Sequence, residues 1–146
     1  MSEWQVNDLT HMPAVVDAVL TGLNEIKTDG ATVLALHGDL GAGKTTFVQL
    51  LARQLGVEET VTSPTFVVMK QYETTHDFSN LIHIDAYRIE TEEEMRVLGF
   101  EGLLQSPQTL ICIEWAERIK NLLPTHTHHL TFTPDGETRT VTLRHG

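Results

Sequence analysis

The sequence predicts a three-layer α/β fold in which a parallel core sheet is flanked by antiparallel strands. Three observations carry this. The apolar run Thr32-Val33-Leu34-Ala35-Leu36 feeds a glycine-rich turn and then an amphipathic segment, the strand, loop, helix order of a parallel unit. Two further apolar runs, Leu81-Ile82-His83-Ile84-Asp85 and Leu110-Ile111-Cys112-Ile113-Glu114, each end on an acid. The tail alternates through 129–133, turns at Pro134-Asp135-Gly136 and returns over 138–143, a hairpin that adds antiparallel strands beside the core.

Taken in order, residues 3–7 read as a short strand, and Asp8 or Thr10 caps a helix over about 11–29. Val16, Val19, Leu20, Leu23 and Ile26 recur there at helical spacing, and Gly30 ends the run. The first central strand is 32–37, and its following helix, 44–55, stops at Gly56. A strand over 67–72 follows the segment Val61-Thr62-Ser63-Pro64-Thr65-Phe66, and the polar stretch 73–80 turns the chain into the strand ending at Asp85. Thr91 caps a helix whose first turn is Glu92-Glu93-Glu94 and which continues to Gly99; these acids read as partners of the helix dipole. The strand 110–115 leads into a short helix, 116–122, ended by Pro124.

The 146 residues are expected to form a single domain, 1–146, with 40% hydrophobic content in the ordinary globular range. No apolar run approaches the roughly 20 residues that span a bilayer, and Met1-Ser2-Glu3-Trp4-Gln5 lacks the basic-then-apolar layout of a signal peptide, so a cytoplasmic protein without membrane contact is expected. The formal charge of −10 disfavours extensive nucleic-acid binding by the chain alone. The one cysteine, Cys112, reads as a small core residue. His126, His128 and His129 lack a nearby cysteine or carboxylate at zinc-ligand spacing and read as a solvated strand entry.

The turn after the first central strand is Gly38-Asp39-Leu40-Gly41-Ala42-Gly43-Lys44-Thr45, which fits the phosphate-loop pattern G-x-x-x-x-G-K-S/T. Such a loop brings successive backbone N–H groups against phosphate oxygens, leaving no room for Cβ atoms at several positions. Lys44 places a point charge on the outer phosphates, the Thr45 hydroxyl suits Mg²⁺, and the helix opening at Thr45 and Thr46 aims its positive end at the anion. The expected ligand is an Mg-nucleoside triphosphate.

Such a site needs a further carboxylate near Thr45, and Asp85 and Glu114 compete for the place at strand ends that face the nucleotide. Spacing does not rank them. The longer Glu114 can orient a water or accept its proton, whereas the shorter Asp85 suits metal contact. The segment Thr62-Ser63-Pro64-Thr65 lies one helix after the phosphate loop, where many nucleotide switches sense the γ-phosphate; an ordinary Ser-Pro turn is the competing reading. His83 is either a γ-phosphate sensor or a buried hydrogen-bonded histidine, Arg88 either meets developing phosphate charge or pairs with a nearby glutamate, and Trp115 packs beside the nucleotide or in the core.

Five segments together, Gly38 to Phe47, Thr62-Ser63-Pro64-Thr65-Phe66, His83-Ile84-Asp85-Ala86-Tyr87-Arg88, Leu98-Gly99 and Ile113-Glu114-Trp115-Ala116-Glu117, resemble the bacterial TsaE (YjeE) family of small P-loop ATPases in order and interval. The resemblance implies a P-loop NTPase-like fold, ATP/ADP and Mg²⁺ as ligands, and TsaD and TsaB as partners in forming threonylcarbamoyladenosine beside the tRNA anticodon. TsaC or a relative would supply the threonylcarbamoyl-adenylate, and ATP turnover would reset the TsaB–TsaD assembly. It further implies that Thr45 and Glu114 serve Mg²⁺, that Asp85 joins the metal or water shell, and that 62–65 form the switch-like loop.

Two other functions compete. A small-molecule kinase generally carries an arginine-rich lid, and the acid-rich stretch 90–99 has Arg88 and Arg96 as its only nearby cations. A sensor that binds nucleotide without hydrolysing it differs from a slow ATPase mainly in degree, since neither an obvious arginine finger nor a water-orienting glutamine stands out. No Asn-Lys-x-Asp guanine motif is present.

Overall fold

The computed structural model describes residues 1–26, 28–39, 43–64 and 67–146, and its backbone is built on one seven-stranded sheet. The strands are β1 (Ser2–Val6), β2 (Thr32–His37), β3 (Met69–Glu73), β4 (Asn80–Asp85), β5 (Thr109–Glu114), β6 (His128–Asp135) and β7 (Thr138–Arg144), in the order β1-β7-β6-β2-β5-β4-β3. The four inner strands β6, β2, β5 and β4 pair in parallel, β7 and β1 add antiparallel at one side, and β3 adds antiparallel at the other. A parallel core with antiparallel flanks is therefore what forms.

The parallel strands are apolar on both faces because both are covered. On one face Leu34, Leu36, Leu81, Leu110 and Cys112 pack with α1 (Met12–Glu25) and α2 (Lys44–Gln54), where Phe47 meets Phe132 edge-on at 5.7 Å. On the other, Val33, Ala35, Ile82, Ile84, Ile111 and Ile113 pack with α3 (Glu92–Val97), α4 (Phe100–Leu104) and a 3-10 stretch, Ala116–Leu122. Burial pushes the Cys112 thiol far above its ordinary pKa, so it behaves as a core side chain.

Several expected boundaries move for identifiable reasons. Neither Asp8 nor Thr10 caps α1, whose N-cap is His11; Asp8 instead accepts from the Thr10 N–H at 2.7 Å within a single 3-10 turn, Leu9–His11, ahead of it. That helix ends at Glu25, not near residue 29, since Ile26 is extended. Gly30 serves packing: a Cβ there would lie 2.2 Å from the Leu104 carbonyl oxygen, the same oxygen that accepts from the Ala31 N–H. The strand expected over 67–72 begins only at Met69, because Val67 and Val68 both donate to the Pro64 carbonyl and Val68 is left-handed at φ 68°. The helix expected to run to Gly99 ends at Val97, and Gly99, at φ 85°, opens a further short helix, α4, that the sequence reading did not foresee. Thr91 caps the start of α3 as expected, in a reciprocal capping box with Glu94. Trp115 leaves β5 in a left-handed conformation, and the hairpin turn falls at Gly136 with Pro134 and Asp135 still paired in β6.

The histidine cluster is not a solvated entry. His128 is 1% exposed, its Nδ1 lies 2.7 Å from the Nδ1 of His145, and its Nε2 is buried without a hydrogen-bond partner among the described residues. Among the described residues no group of three or more side chains is arranged to hold a metal ion. Burial, with neighbouring histidines, lowers the His128 pKa to about 4, and burial lowers those of His37 and His129. A depressed histidine pKa means that the unfolded chain takes up its proton first, so stability falls as pH drops from about 6.5 toward about 4. Acidification from pH 7 to 5 is expected to lower the thermal midpoint, by roughly 2–4 °C per kcal/mol lost in a domain of this size. In His128→Gln that drop should be smaller, and an equal drop would contradict this role; thermal melts followed by circular dichroism measure both.

Candidate functional site

Register places the site. Leu36 pairs with Glu114, and Glu114 pairs with Asp85, across three adjacent parallel strands. Paired residues share a face, and this is the face of Leu34, Cys112 and Leu81 that packs with α2. Both candidate acids therefore stand at carboxyl ends of neighbouring strands on the side where α2 begins. They are buried alike, each 5% exposed.

The chain leaves β2 through Gly38, at φ 144°, and enters α2 through Gly43, at φ 105°, both backbones that a side chain would strain. Asp39 is exposed; Leu40, Gly41 and Ala42 lie outside the described residues. Lys44, Thr45 and Thr46 form the first turn of α2, with N–H groups directed away from its body. Lys44 is 6% exposed, and its Nζ donates to the Gly38 carbonyl at 2.7 Å, so the ammonium folds back across the mouth of the turn. Trp115, half-buried against the core layer of Ile82 and Ile113, also reaches this turn, its ring centroid 5.2 Å from Lys44 Nζ.

The acids are anchored differently. The short Asp85 accepts from the Tyr87 N–H at 2.9 Å, and its own N–H donates to the Val68 carbonyl at 2.8 Å. Glu114 accepts at Oε2 from His83 Nε2 at 2.7 Å, and its backbone carbonyl accepts from the Ala86 N–H. His83, fully buried one pleat behind Asp85, is thus the hydrogen-bonded histidine of the two alternatives. Arg88 is exposed.

The Thr62, Ser63 and Pro64 segment is held between α2 and β3 by two tethers. Gln49 of α2 donates to the Val61 carbonyl at 3.0 Å, and Lys70 of β3 donates to the Thr62 hydroxyl. Thr62 and Ser63 are exposed, Pro64 is buried, and Thr65 and Phe66 lie outside the described residues.

Sequence reasoning missed two arginines. Arg118 lies over the Tyr87 ring at 5.6 Å and the Trp115 ring at 6.0 Å, completing a cationic and aromatic cluster beside Lys44. Nothing in its neighbours signals this. Arg139 lies against the phosphate-loop turn, its Nη1 3.1 Å from where a Cβ on Gly43 would stand. Here a signal exists: Arg139 occupies the strand register of the buried Val141 and Leu143, an unusual place for a cation.

A strand, a glycine turn entering a helix N-terminus with a buried lysine, and paired acids at adjacent strand ends define a protein of the P-loop α/β class. The chain belongs to the TsaE family: the model described as "Threonylcarbamoyl adenosine biosynthesis protein TsaE" matches residues 8–141. It is 41% identical over 100 residues to the tRNA threonylcarbamoyladenosine biosynthesis protein TsaE of a Nostoc species, covering 66% of this chain and 59% of that one. With the Bacillus subtilis protein of the same name it shares 44% identity over 92 residues, 63% of this chain and 55% of the relative. With that of Aquifex aeolicus it shares 45% over 93 residues, 62% of each. These matches span less than two-thirds of the relatives' own lengths. The crystal structure of Bacillus subtilis YdiB superposes with a TM-score of 0.70 at 27% identity, covering 97% of this chain and 83% of that one. No helix among the described residues is long and apolar enough to cross a membrane.

A phosphate that drew Lys44 away from the Gly38 carbonyl would alter the surroundings of the Trp115 ring. In Trp4→Phe, which leaves Trp115 as the single tryptophan of two, Mg-ADP is expected to change the emission. The change should be lost in Lys44→Ala; a nucleotide-bound protein with unaltered Trp115 emission would contradict this placement.

Proposed function

We propose that this protein binds and hydrolyses ATP with Mg²⁺ and that its turnover supports a TsaB–TsaD machinery forming threonylcarbamoyladenosine in tRNA, by resetting that assembly between rounds. The observation that carries the proposal is the in-register pair Asp85 and Glu114 on the face where Lys44 opens α2. The pathway follows from the family and from the printed names of the relatives.

The donor set suits the ligand. Carboxylate and hydroxyl oxygens of Asp85, Glu114 and Thr45 are hard ligands of the kind Mg²⁺ takes, and a single lysine with helix N–H groups suits a phosphate chain. When bound, the cation supplies neutralisation of charge on the outer phosphates. The remaining work falls to the chain. Lys44 exchanges the Gly38 carbonyl for phosphate oxygen and holds charge as it develops on the transferring group. Glu114, 5% exposed, orients the attacking water and accepts its proton. Asp85, fixed by the Tyr87 N–H, completes the metal or water shell. Its backbone bond to Val68 links that shell to the segment containing Thr62, which serves as the nucleotide-dependent switch.

Arg96 is engaged by Glu101 at 2.8 Å and Glu93 at 3.4 Å, which leaves it poorly suited to the lid of a metabolite kinase. Phosphate release from Mg-ATP, measured alone and with TsaB and TsaD, is expected to be slow and to rise with the pair. Lys44→Ala and Glu114→Gln should each lower it by about 100-fold or more, the scale of losing a group that acts in the transition state. Near-normal release in both variants would overturn the assignment. Transfer of labelled γ-phosphate to a metabolite would move the protein to the kinases.

A further inference from the structure

We propose that His83 is a positioning residue for the hydrolytic step: it grips one oxygen of Glu114 and so leaves the other as the working oxygen. This rests on the reading of Glu114 given above. Glutamate has one more rotatable bond than aspartate, and at the end of β5 nothing on its own strand fixes its carboxylate. Asp85 solves the same problem locally, by accepting from a backbone N–H two residues on. Glu114 solves it across the sheet, through His83 Nε2 at 2.7 Å on the neighbouring strand.

The setting is that of a built support. His83 is fully buried and Glu114 nearly so, so the bond is shielded from competing water. In register His83 stands between Lys70 on β3 and Cys112 on β5, with Asp85 and Glu114 the next pair toward the strand ends. Its second nitrogen, Nδ1, is buried and has no hydrogen-bond partner among the described residues. A proton on Nε2 gives Glu114 its donor and leaves Nδ1 only as an unfilled acceptor; moving it to Nδ1 would leave a carboxylate facing a lone pair. The imidazole is thus held in one tautomer by the acid it orients, as in other histidine and carboxylate supports. Burial also separates His83 from the exposed Thr62 and Ser63, where a direct phosphate sensor is expected to reach solvent.

The test is a double-mutant cycle with a spectroscopic arm. His83→Leu removes the donor at similar volume, and His83→Gln restores an N–H at nearly the same distance. Expected for His83→Leu is a fall in kcat of about 10–100-fold, the scale for outer-shell partners, with the dissociation constant for Mg-ADP changed less than about threefold. His83→Gln should recover most of kcat. On a Glu114→Gln background, His83→Leu should change the residual rate by less than about twofold, since the two residues act as one unit. By NMR, the wild-type protein should show an exchange-protected His83 Nε2 proton that is lost in Glu114→Leu.

Equal loss of nucleotide affinity and kcat, additive effects in the cycle, or an imidazole that carries a proton on Nδ1 and none on Nε2 would each overturn the proposal. Should His83→Leu fail to fold, His83→Gln and the wild-type imidazole signals still decide it. Absence of turnover by the wild-type protein with TsaB and TsaD would instead sink the ATPase reading, while the NMR result would continue to report on the His83 bond.

Discussion

The parallel register of β2, β5 and β4 is the constraint from which the site follows. A side chain's face in a strand is set by a period of two, so a slip of one residue between β4 and β5 would turn Asp85 to the opposite layer while Glu114 stayed in place. That register is secured by burial on both faces, with Ile82, Ile84, Ile111 and Ile113 below and Leu81, Leu110 and Cys112 above. Slipping it would exchange side chains between two differently shaped apolar layers along the whole strand, with overpacking at each misfit costing on the order of 1–3 kcal/mol. Chemistry at the strand ends is therefore positioned by packing several residues away.

The polar groups that this packing buries are nearly all engaged. Lys44 turns onto a backbone carbonyl, Asp85 onto an N–H, and Glu114 onto His83. Lys44 on Gly38 resembles a placeholder, because an ammonium buried without a partner is costly and a phosphate would replace the carbonyl with a full charge. Val68, left-handed although β-branched, is a strained residue close after the segment 62–64, and its carbonyl holds the backbone of Asp85. The strained turn and Asp85 are thus joined by a backbone hydrogen bond.

Most of the central layer was legible in the sequence because burial on two faces writes unbroken apolar runs, and an acid at the end of such a run is conspicuous. The hairpin was legible for the converse reason, its alternation recording one buried face. What escaped depended on tertiary contact. Helix α1 stops early because of local backbone geometry at Ile26, and the apparent stop signal, Gly30, answers to the Leu104 carbonyl 74 positions away in sequence. Met69 starts β3 because Pro64 draws the two preceding N–H groups into a turn. His83 was ambiguous in sequence and resolved only by the identity of its cross-strand neighbour, and His128 looked solvated until His145 from the tail closed over it. Arg118 and Arg139 converge on the phosphate-loop neighbourhood from elements whose sequences carry no nucleotide motif.

The central claim is that Asp85, Glu114, Lys44 and Thr45 surround one Mg-nucleotide. A crystal structure with Mg²⁺ and a non-hydrolysable ATP analogue tests it most directly. The account predicts Lys44 Nζ on the outer phosphates in place of the Gly38 carbonyl, and the cation beside the Thr45 hydroxyl with at least one of Asp85 and Glu114 in its direct or water-mediated shell. A nucleotide bound away from the turn between β2 and α2, or a cation with neither acid in its shell, would contradict it.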